Sequence, residues 1–480
     1  MLHVYLGKIP RPGFGIRIPE VVAPPLLSAF KSLGMTGSLM LSFNRETAPA
    51  EYIESSDPRL FYFGHTGTSI GGFIRSVKEY SKALSVPVEV EADHVSILGS
   101  VERALKKIAG VPVEEPLSEE EVSWSIGYVE RELREAAEAG GVDFVTIDTC
   151  ELIDYSYDKV GAEEVAAAYE EVFDGDERRA LEERYEGVHY FLGGDRVVAV
   201  RLSREDVARL AVKYRRSLDY AERIYRAARE AMGVELGFEV AFDETPGVSE
   251  AREVFFYLSE LLRRGLRVDF IAPNVGFRKR EDYSGDLHAL YERLRNLHAV
   301  VSSMNAYLSI HSGSGSHPYS DKGFGVWGVV GRATGGAVKY KMSGVLVQLL
   351  LEVMASYPPG SETRRLYEEI YSEVVEHLRW VVKAKASLYS PELETLLKRY
   401  EAAQDRFDPR ADVFRHYFYV FQALRDEGGA RRLRERLVEH YRENPGLRER
   451  YEKELRGLVE RLASQLGYAG NAYRYRVVYA

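Results

Sequence analysis

Eight short apolar segments alternate with longer amphipathic ones over the first 345 residues, and this alternation constrains the fold more than any other feature of the chain. The segments expected to be strands are 37–42, 60–63, 86–92, 144–148, 237–242, 268–272, 307–310 and 337–341. Between them, apolar positions recur every three or four residues in 70–82, 121–139, 204–232 and 248–264, the period of helices with one buried face. Eight strands, each followed by helix or loop, predict an α/β fold, a (β/α)8 barrel of the TIM type. An open doubly wound sheet is the competitor. It is disfavoured because no Gly-x-Gly-x-x-Gly turn follows the first strand.

Residues 154–206 break the alternation. Helical patterns at 162–170 and 177–185 precede a hairpin of 188–192 and 196–202 around Gly193-Gly194, which reads as an insertion on the barrel rim. From Gly344 onward the chain is almost wholly helix-forming, interrupted at Pro358-Pro359, Pro409 and Pro445. The expected organisation is therefore a barrel over 1–345 with an insertion at about 154–206, and a helical C-terminal extension over 346–480 packed on the barrel.

Composition narrows the function. A net charge of −10 argues against nucleic-acid binding, which needs basic surface, and the interleaved glutamates of Arg431-Arg432-Leu-Arg434-Glu-Arg436 suit a solvated helix face. Cys150 is the only cysteine, so neither an intramolecular disulfide nor a cysteine-rich zinc site can form. No apolar run approaches about 18 residues and no signal-peptide pattern opens the chain, so a cytoplasmic protein without membrane partners is expected. Asn and Gln number only six and four, the bias of proteins from thermophiles. Oligomeric state is left open between monomer and homo-oligomer.

Several strands deliver a chemically useful side chain at their C-terminal ends, where α/β barrels place their sites. Tyr307-Leu-Ser-Ile-His311 breaks into Ser-Gly-Ser-Gly, Val88 to Ala92 runs into Asp93-His94, 144–148 ends in Asp148, and Glu239 lies inside the apolar run before Asp243-Glu244. Two imidazoles with carboxylates between them suggest a divalent metal, and zinc, manganese, iron, nickel and cobalt are not distinguishable on such donors. Glu239 is a charge within a buried strand and needs a cation or a partner. Asn274 opens the basic loop Arg278-Lys279-Arg280, suited to a carboxylate or phosphate, and Lys341 comes from the last strand. Gly64-His65-Thr-Gly67 could present amides to an anion but lacks the Gly-Lys-Ser/Thr of a nucleotide loop.

The combination resembles the tagaturonate/fructuronate epimerase family. The residues that carry the resemblance are Leu308-Ser-Ile-His311-Ser-Gly-Ser314, Ser320-Asp321-Lys322 and Gly331-Arg-Ala-Thr-Gly335-Gly336 to Val338-Lys-Tyr-Lys341, supported by Ala92-Asp93-His94, Thr146-Ile-Asp148 and Phe242-Asp243-Glu244. Ala272-Pro273 with the Lys279 loop, and the segment His416 to Tyr419, match more weakly. Two departures mark a divergent member: Gly315-Ser-His317-Pro-Tyr319 interrupts the His311 block, and the Gly64 turn differs in type. The resemblance implies a metal-dependent TIM barrel that inverts one carbinol carbon of a keto-hexuronate by retro-aldol chemistry. On it, His94, Glu244 and His311 are the expected metal ligands, Asp93 the base and Glu239 the acid. Asp148, Asn274, Lys279 and Lys341 would then contact substrate. The alternatives are another metal-dependent keto-sugar isomerase or aldolase, and a non-catalytic sugar-binding relative.

Overall fold

The computed structural model describes residues 3–43, 45–109, 116–193, 196–403 and 406–477. Eight parallel strands close into a barrel: β1 (Arg11–Gly15), β2 (Ser38–Ser42), β3 (Glu89–Ser96), β4 (Phe144–Asp148), β5 (Gly237–Phe242), β6 (Phe270–Pro273), β7 (Tyr307–Ile310) and β8 (Val338–Met342). Around the cylinder they follow the order β1-β8-β7-β6-β5-β4-β3-β2, so every neighbour but one pair is consecutive in sequence. Each strand leads to a helix on the outside, among them Pro19–Ser32, Ile70–Leu84, Glu119–Glu138, Arg204–Met232 and Ala251–Arg263. The expected (β/α)8 barrel is therefore what the chain forms.

One strand was misplaced by the apolar pattern. Residues 60–63 are instead the end of a 3-10 helix (Pro58–Leu60) and a turn, with Tyr62 and Phe63 buried; Phe61 and Tyr62 pack on His377 of the C-terminal helices, and the Tyr62 hydroxyl lies 2.7 Å from His377 Nε2. The true first strand, Arg-Pro-Gly-Phe-Gly, carries one large apolar side chain and so leaves no hydropathy signal. Its glycines are required by closure. A Cβ at Gly13 would stand 3.1 Å from Lys341 Cγ, and one at Gly15 would stand 2.9 Å from Ser343 Cα.

The outward faces of the strands are apolar and pack under the helices, but the inside of the cylinder is charged. Arg11, Glu89, Glu91, Glu239 and Lys339 have no accessible surface. Arg11 pairs with Glu89 at 2.5 Å, and Lys339 with Glu91 and Glu239 at 2.8 and 3.2 Å. Lys339 also stands 3.6 Å from the centre of the Phe144 ring. Charges so deeply buried persist only when each is answered by another, because desolvation otherwise outweighs any gain from packing.

After β4 come helices Ala162–Val172 and Gly175–Tyr185 and an antiparallel hairpin of Gly187–Gly193 with Arg196–Leu202; Gly194 lies outside the described residues. After β8 every element is helical. Helix Pro445–Leu466 lies against Pro19–Ser32 and Val345–Ala355, and its approach to Val326–Thr334 is so close that a Cβ at Gly331 would meet Gln465 O at 2.4 Å. Asn471 closes the lower rim, accepting from Thr36 N and donating to the carbonyls of Pro10 and Thr36. Among the described residues no helix is long and apolar enough to cross a membrane.

Candidate active site

Successive side chains on a strand point to opposite faces, so Asp93 and His94 should not both reach the barrel axis. They do so because β3 bulges. Its register against β4 shifts between Ala92 and Val95, and His94 adopts φ +52°, a left-handed conformation that only an over-determined site retains. Asp243 and Glu244 escape alternation differently, since β5 has already ended at Phe242. Ser312, with φ +54°, turns the chain away immediately after His311.

These devices bring the two imidazoles together, with ring centres 5.0 Å apart. His311 Nδ1 lies 3.1 Å from Asp243 Oδ1, and its Nε2 lies 2.6 Å from Glu239 Oε1. His94 mirrors this, with Nε2 3.8 Å from Asp243 Oδ1 and Nδ1 2.9 Å from Asp93 Oδ2. Each imidazole therefore turns one nitrogen to Asp243 and the other to a buried carboxylate. That is how metal-binding histidines are commonly held, the outer carboxylate fixing tautomer and ring orientation. One donor atom from each of His94, Asp243 and His311 lies within 4.8 Å of the others, and the same is true of His94, Asp148 and Glu244. A borderline divalent cation fits such nitrogen and oxygen donors.

The electrostatics agree with the geometry. Burial lowers the His94 pKa, but Asp93 and Asp243 overcome it and raise it to about 10. Burial would raise Asp93, yet the His94 imidazolium and the Lys341 ammonium hold it well below the usual carboxylate range. Asp243 is likewise driven down, against burial, by His311 and His94. Asp243 and Glu239 likewise raise the His311 pKa against burial. A metal ion would replace imidazole protons as the positive charge.

Four of the expected site residues take other roles. Lys341 is only 3% exposed and its ammonium is shared by Glu91 (2.6 Å), Asp93 (2.7 Å), Glu239 (2.9 Å) and Thr146 (2.8 Å), so it is committed to the floor rather than to a substrate carboxylate. Glu239 is fully buried beneath His311 and is not among the residues lining the cavity above the cluster, so its place is to position the imidazole. Asn274 closes its own loop, donating to Thr245 O and accepting from Gly276 N. Asp93 borders the cavity, but His94 takes its Oδ2 and Lys341 its Oδ1, so it orients the imidazole. Asp148 accepts from Cys150 N beside the cluster, whereas Glu244 lies on the cavity wall between Arg45 (3.3 Å) and Lys279 (2.5 Å).

Above the cluster opens a cavity of about 550 Å³. Its floor is the histidine–carboxylate cluster, and its walls are densely charged, with Arg17, Arg45, Lys279 and Arg280 set among Glu46, Glu151, Glu244 and Glu281. The C-terminal helices complete it: His416, Tyr417 and Tyr419 face inward, so the extension is part of the cavity wall. His65, from the Gly64 turn, also faces in, and contributes its ring where the sequence suggested only backbone amides. Neither contribution was predictable from strand-end reasoning. The only sequence signals were a Gly-rich turn and a weak motif in the tail.

A closed (β/α)8 cylinder with a buried histidine–carboxylate cluster under a charged cavity at its carboxyl end defines a barrel enzyme site for a small polar molecule. A family model described as tagaturonate epimerase (UxaE) matches residues 129–406, more than half of the chain, and the chain belongs to that family. Among solved structures it is similar to the fructuronate-tagaturonate epimerase UxaE from Cohnella laeviribosi with one glycerol bound, at 20% identity and TM-score 0.66, covering 97% of this chain and 83% of that one. The native form of that enzyme matches with the same identity and coverage and a TM-score of 0.65. At this identity the likeness bears on the fold alone. A comparison with curated proteins finds no match.

Proposed function

We propose that this protein is a divalent-metal-dependent epimerase of a keto-hexuronate of the tagaturonate/fructuronate type. The single observation that carries the reading is the convergence of His94, Asp243 and His311, each imidazole backed by its own buried carboxylate, at the floor of a charged cavity. Family membership supplies the substrate class.

The carbon to be inverted is β to the ketone, so its C–H is not acidified and enolisation cannot invert it. A retro-aldol route solves this. The hydroxyl proton on that carbon passes to a base, the carbon–carbon bond toward the ketone breaks, and its electron pair moves onto the ketone oxygen as an enediolate. The freed aldehyde rotates and re-addition on the other face returns the proton. A divalent cation, when bound, supplies the Lewis acidity that stabilises charge on the ketone oxygen. His94, Asp243 and His311 would hold it, while Asp93 and Glu239 orient the imidazoles. Glu244, on the cavity wall between Arg45 and Lys279, is the carboxylate best placed to exchange the hydroxyl proton. Its grouping with His94 and Asp148 favours a second reading, in which Glu244 is itself a ligand; metal-edge anomalous diffraction separates the two.

Incubation with tagaturonate and single divalent metals in deuterated water tests the proposal. Fructuronate should form with its inverted carbon still carrying protium. Deuterium at that carbon would sink the retro-aldol route, and an inert enzyme with every metal would sink the function.

A further inference from the structure

Most of the cations that wall the cavity already have an acidic partner: Arg17 has Glu46, Arg45 and Lys279 share Glu244, Arg103 has Glu121, Arg278 faces Glu281, and Lys341 has its three carboxylates. Arg280 is the exception. No carboxylate of the described residues comes within ion-pair distance of it. Its guanidinium donates from Nη1 to the His416 carbonyl and stands 5.6 Å from the centre of the Tyr419 ring. Burial, reinforced by Arg17, lowers its pKa to about 10, the mark of a cation among cations.

Two further polar groups beside it lack partners. The His65 and Tyr419 rings lie 4.6 Å apart, both residues are at most 4% exposed, and neither His65 Nδ1 nor the Tyr419 hydroxyl makes a hydrogen bond. Buried polar atoms are almost always satisfied, so two orphans flanking one unpaired arginine on a cavity wall call for an explanation from outside the chain. An anion with two acceptor oxygens answers all three groups at once.

The loop is built to hold this arrangement. Arg280 sits at φ +62°, a strained conformation for a non-glycine residue. Lys322, itself 1% exposed, ties the loop in place by donating to the carbonyls of Arg278 (2.6 Å), Glu281 (2.7 Å) and Ser314 (3.2 Å). The arginine is thereby presented on a rigid support joined to the loop that follows His311.

We propose that Arg280, with His65 and Tyr419, receives the carboxylate of the substrate, while its keto and hydroxyl end lies over the His94–Asp243–His311 cluster. This rests on the keto-hexuronate reading of the cavity, and it moves carboxylate recognition away from Lys341 and Lys279, whose charges are already spent on Glu91, Asp93, Glu239 and Glu244. Specificity for a uronate over the neutral ketohexose then resides in a wall partly contributed by the C-terminal helices.

The metal-loaded full-length enzyme provides the test. Arg280→Gln should raise KM for tagaturonate by about 10- to 100-fold with a much smaller change in kcat, and should lower the uronate-to-tagatose ratio of kcat/KM by a similar factor. Tyr419→Phe should raise the same KM less, by about 3- to 10-fold, as expected for one neutral donor. An unchanged KM and an unchanged ratio in Arg280→Gln overturn the proposal, as does tighter binding of tagatose 6-phosphate than of tagaturonate. Arg280→Lys guards against misfolding, because it keeps the charge but not the fork and should fall between wild type and Gln. Calorimetric titration with galacturonate separates this inference from the functional reading. If the wild type binds that uronate and Arg280→Gln does not, the carboxylate pocket stands even when no epimerisation is found. Equal binding by both refutes the pocket whatever the reaction.

Discussion

The lower and upper halves of the barrel interior are built from the same kinds of residue and behave in opposite ways. In the lower half Arg11 meets Glu89 and Lys339 meets Glu91 and Glu239, and this ladder of charges is closed to solvent. In the upper half carboxylates raise the pKa of two neighbouring histidines against burial, and Arg280, His65 and Tyr419 present polar groups that no carboxylate among the described residues takes up. A buried charge answered by another side chain is architecture. One left unanswered next to a cavity marks where something from outside is received.

The sharpest way to break this contrast is to remove one residue from each half. His311→Ala should lower turnover on the order of 10³-fold and abolish stoichiometric metal, read by steady-state rates and elemental analysis. Its fold should survive, because Lys339 and Lys341 still answer Glu239. Full metal content with full activity would end the assignment of the cluster. Glu239→Gln, which keeps the shape but weakens the hold on His311, should cost about 10- to 100-fold in metal affinity by competition with a chelator. Lys339→Met should instead leave metal binding nearly intact and destabilise the protein by about 3–5 kcal/mol in denaturant unfolding, because Glu91 and Glu239 lose a buried counter-charge. A loss well under 1 kcal/mol would mean that water reaches the ladder.

Glu132 sharpens the comparison from outside the barrel. It is fully buried in helix Glu119–Glu138, both its oxygens lack hydrogen bonds among the described residues, and it is not among the residues lining the cavity over the cluster. Burial, with Glu135 adding repulsion, pushes its pKa well above the usual 4.5. Below that value folded and unfolded chains are both protonated. As pH rises the unfolded chain ionises while the native one stays neutral, so the native state loses stability with increasing pH. Glu132→Gln should therefore stabilise the protein by about 1–3 kcal/mol at neutral pH, with the gain shrinking as pH falls toward 4.5. A gain independent of pH would show that Glu132 is already ionised in the fold. At the small end, Tyr190→Ser on the exposed face of the rim hairpin should change stability by less than about 0.5 kcal/mol.

What could be read before folding followed from side-chain type. Runs such as Phe144-Val-Thr-Ile-Asp148 and Tyr307-Leu-Ser-Ile-His311 announce strands because their outward faces must be apolar beneath helices, and their polar ends announce a site. Arg11–Gly15 escaped notice because what qualifies it for the barrel is small inward residues, whereas 60–63 misled because an apolar turn under a helix looks like a strand. His94 and His311 could be named from sequence. That Asp243 rather than Glu244 faces both imidazoles could not, since it depends on where β5 stops.

The sequence alone determined the alternating strand and helix plan, the gathering of histidines and carboxylates at strand ends, and the family to which the chain belongs. Only the tertiary structure decided partners. Lys341 and Asp93 lie 248 positions apart yet share a hydrogen bond, a bulge at His94 turns two adjacent side chains the same way, and the C-terminal helices bring Tyr419 to the cavity. The physical reason is that apolar burial depends on periodicity, which is local in the chain. Pairing of buried charges depends on distance and direction in space, which exist only once the barrel has closed.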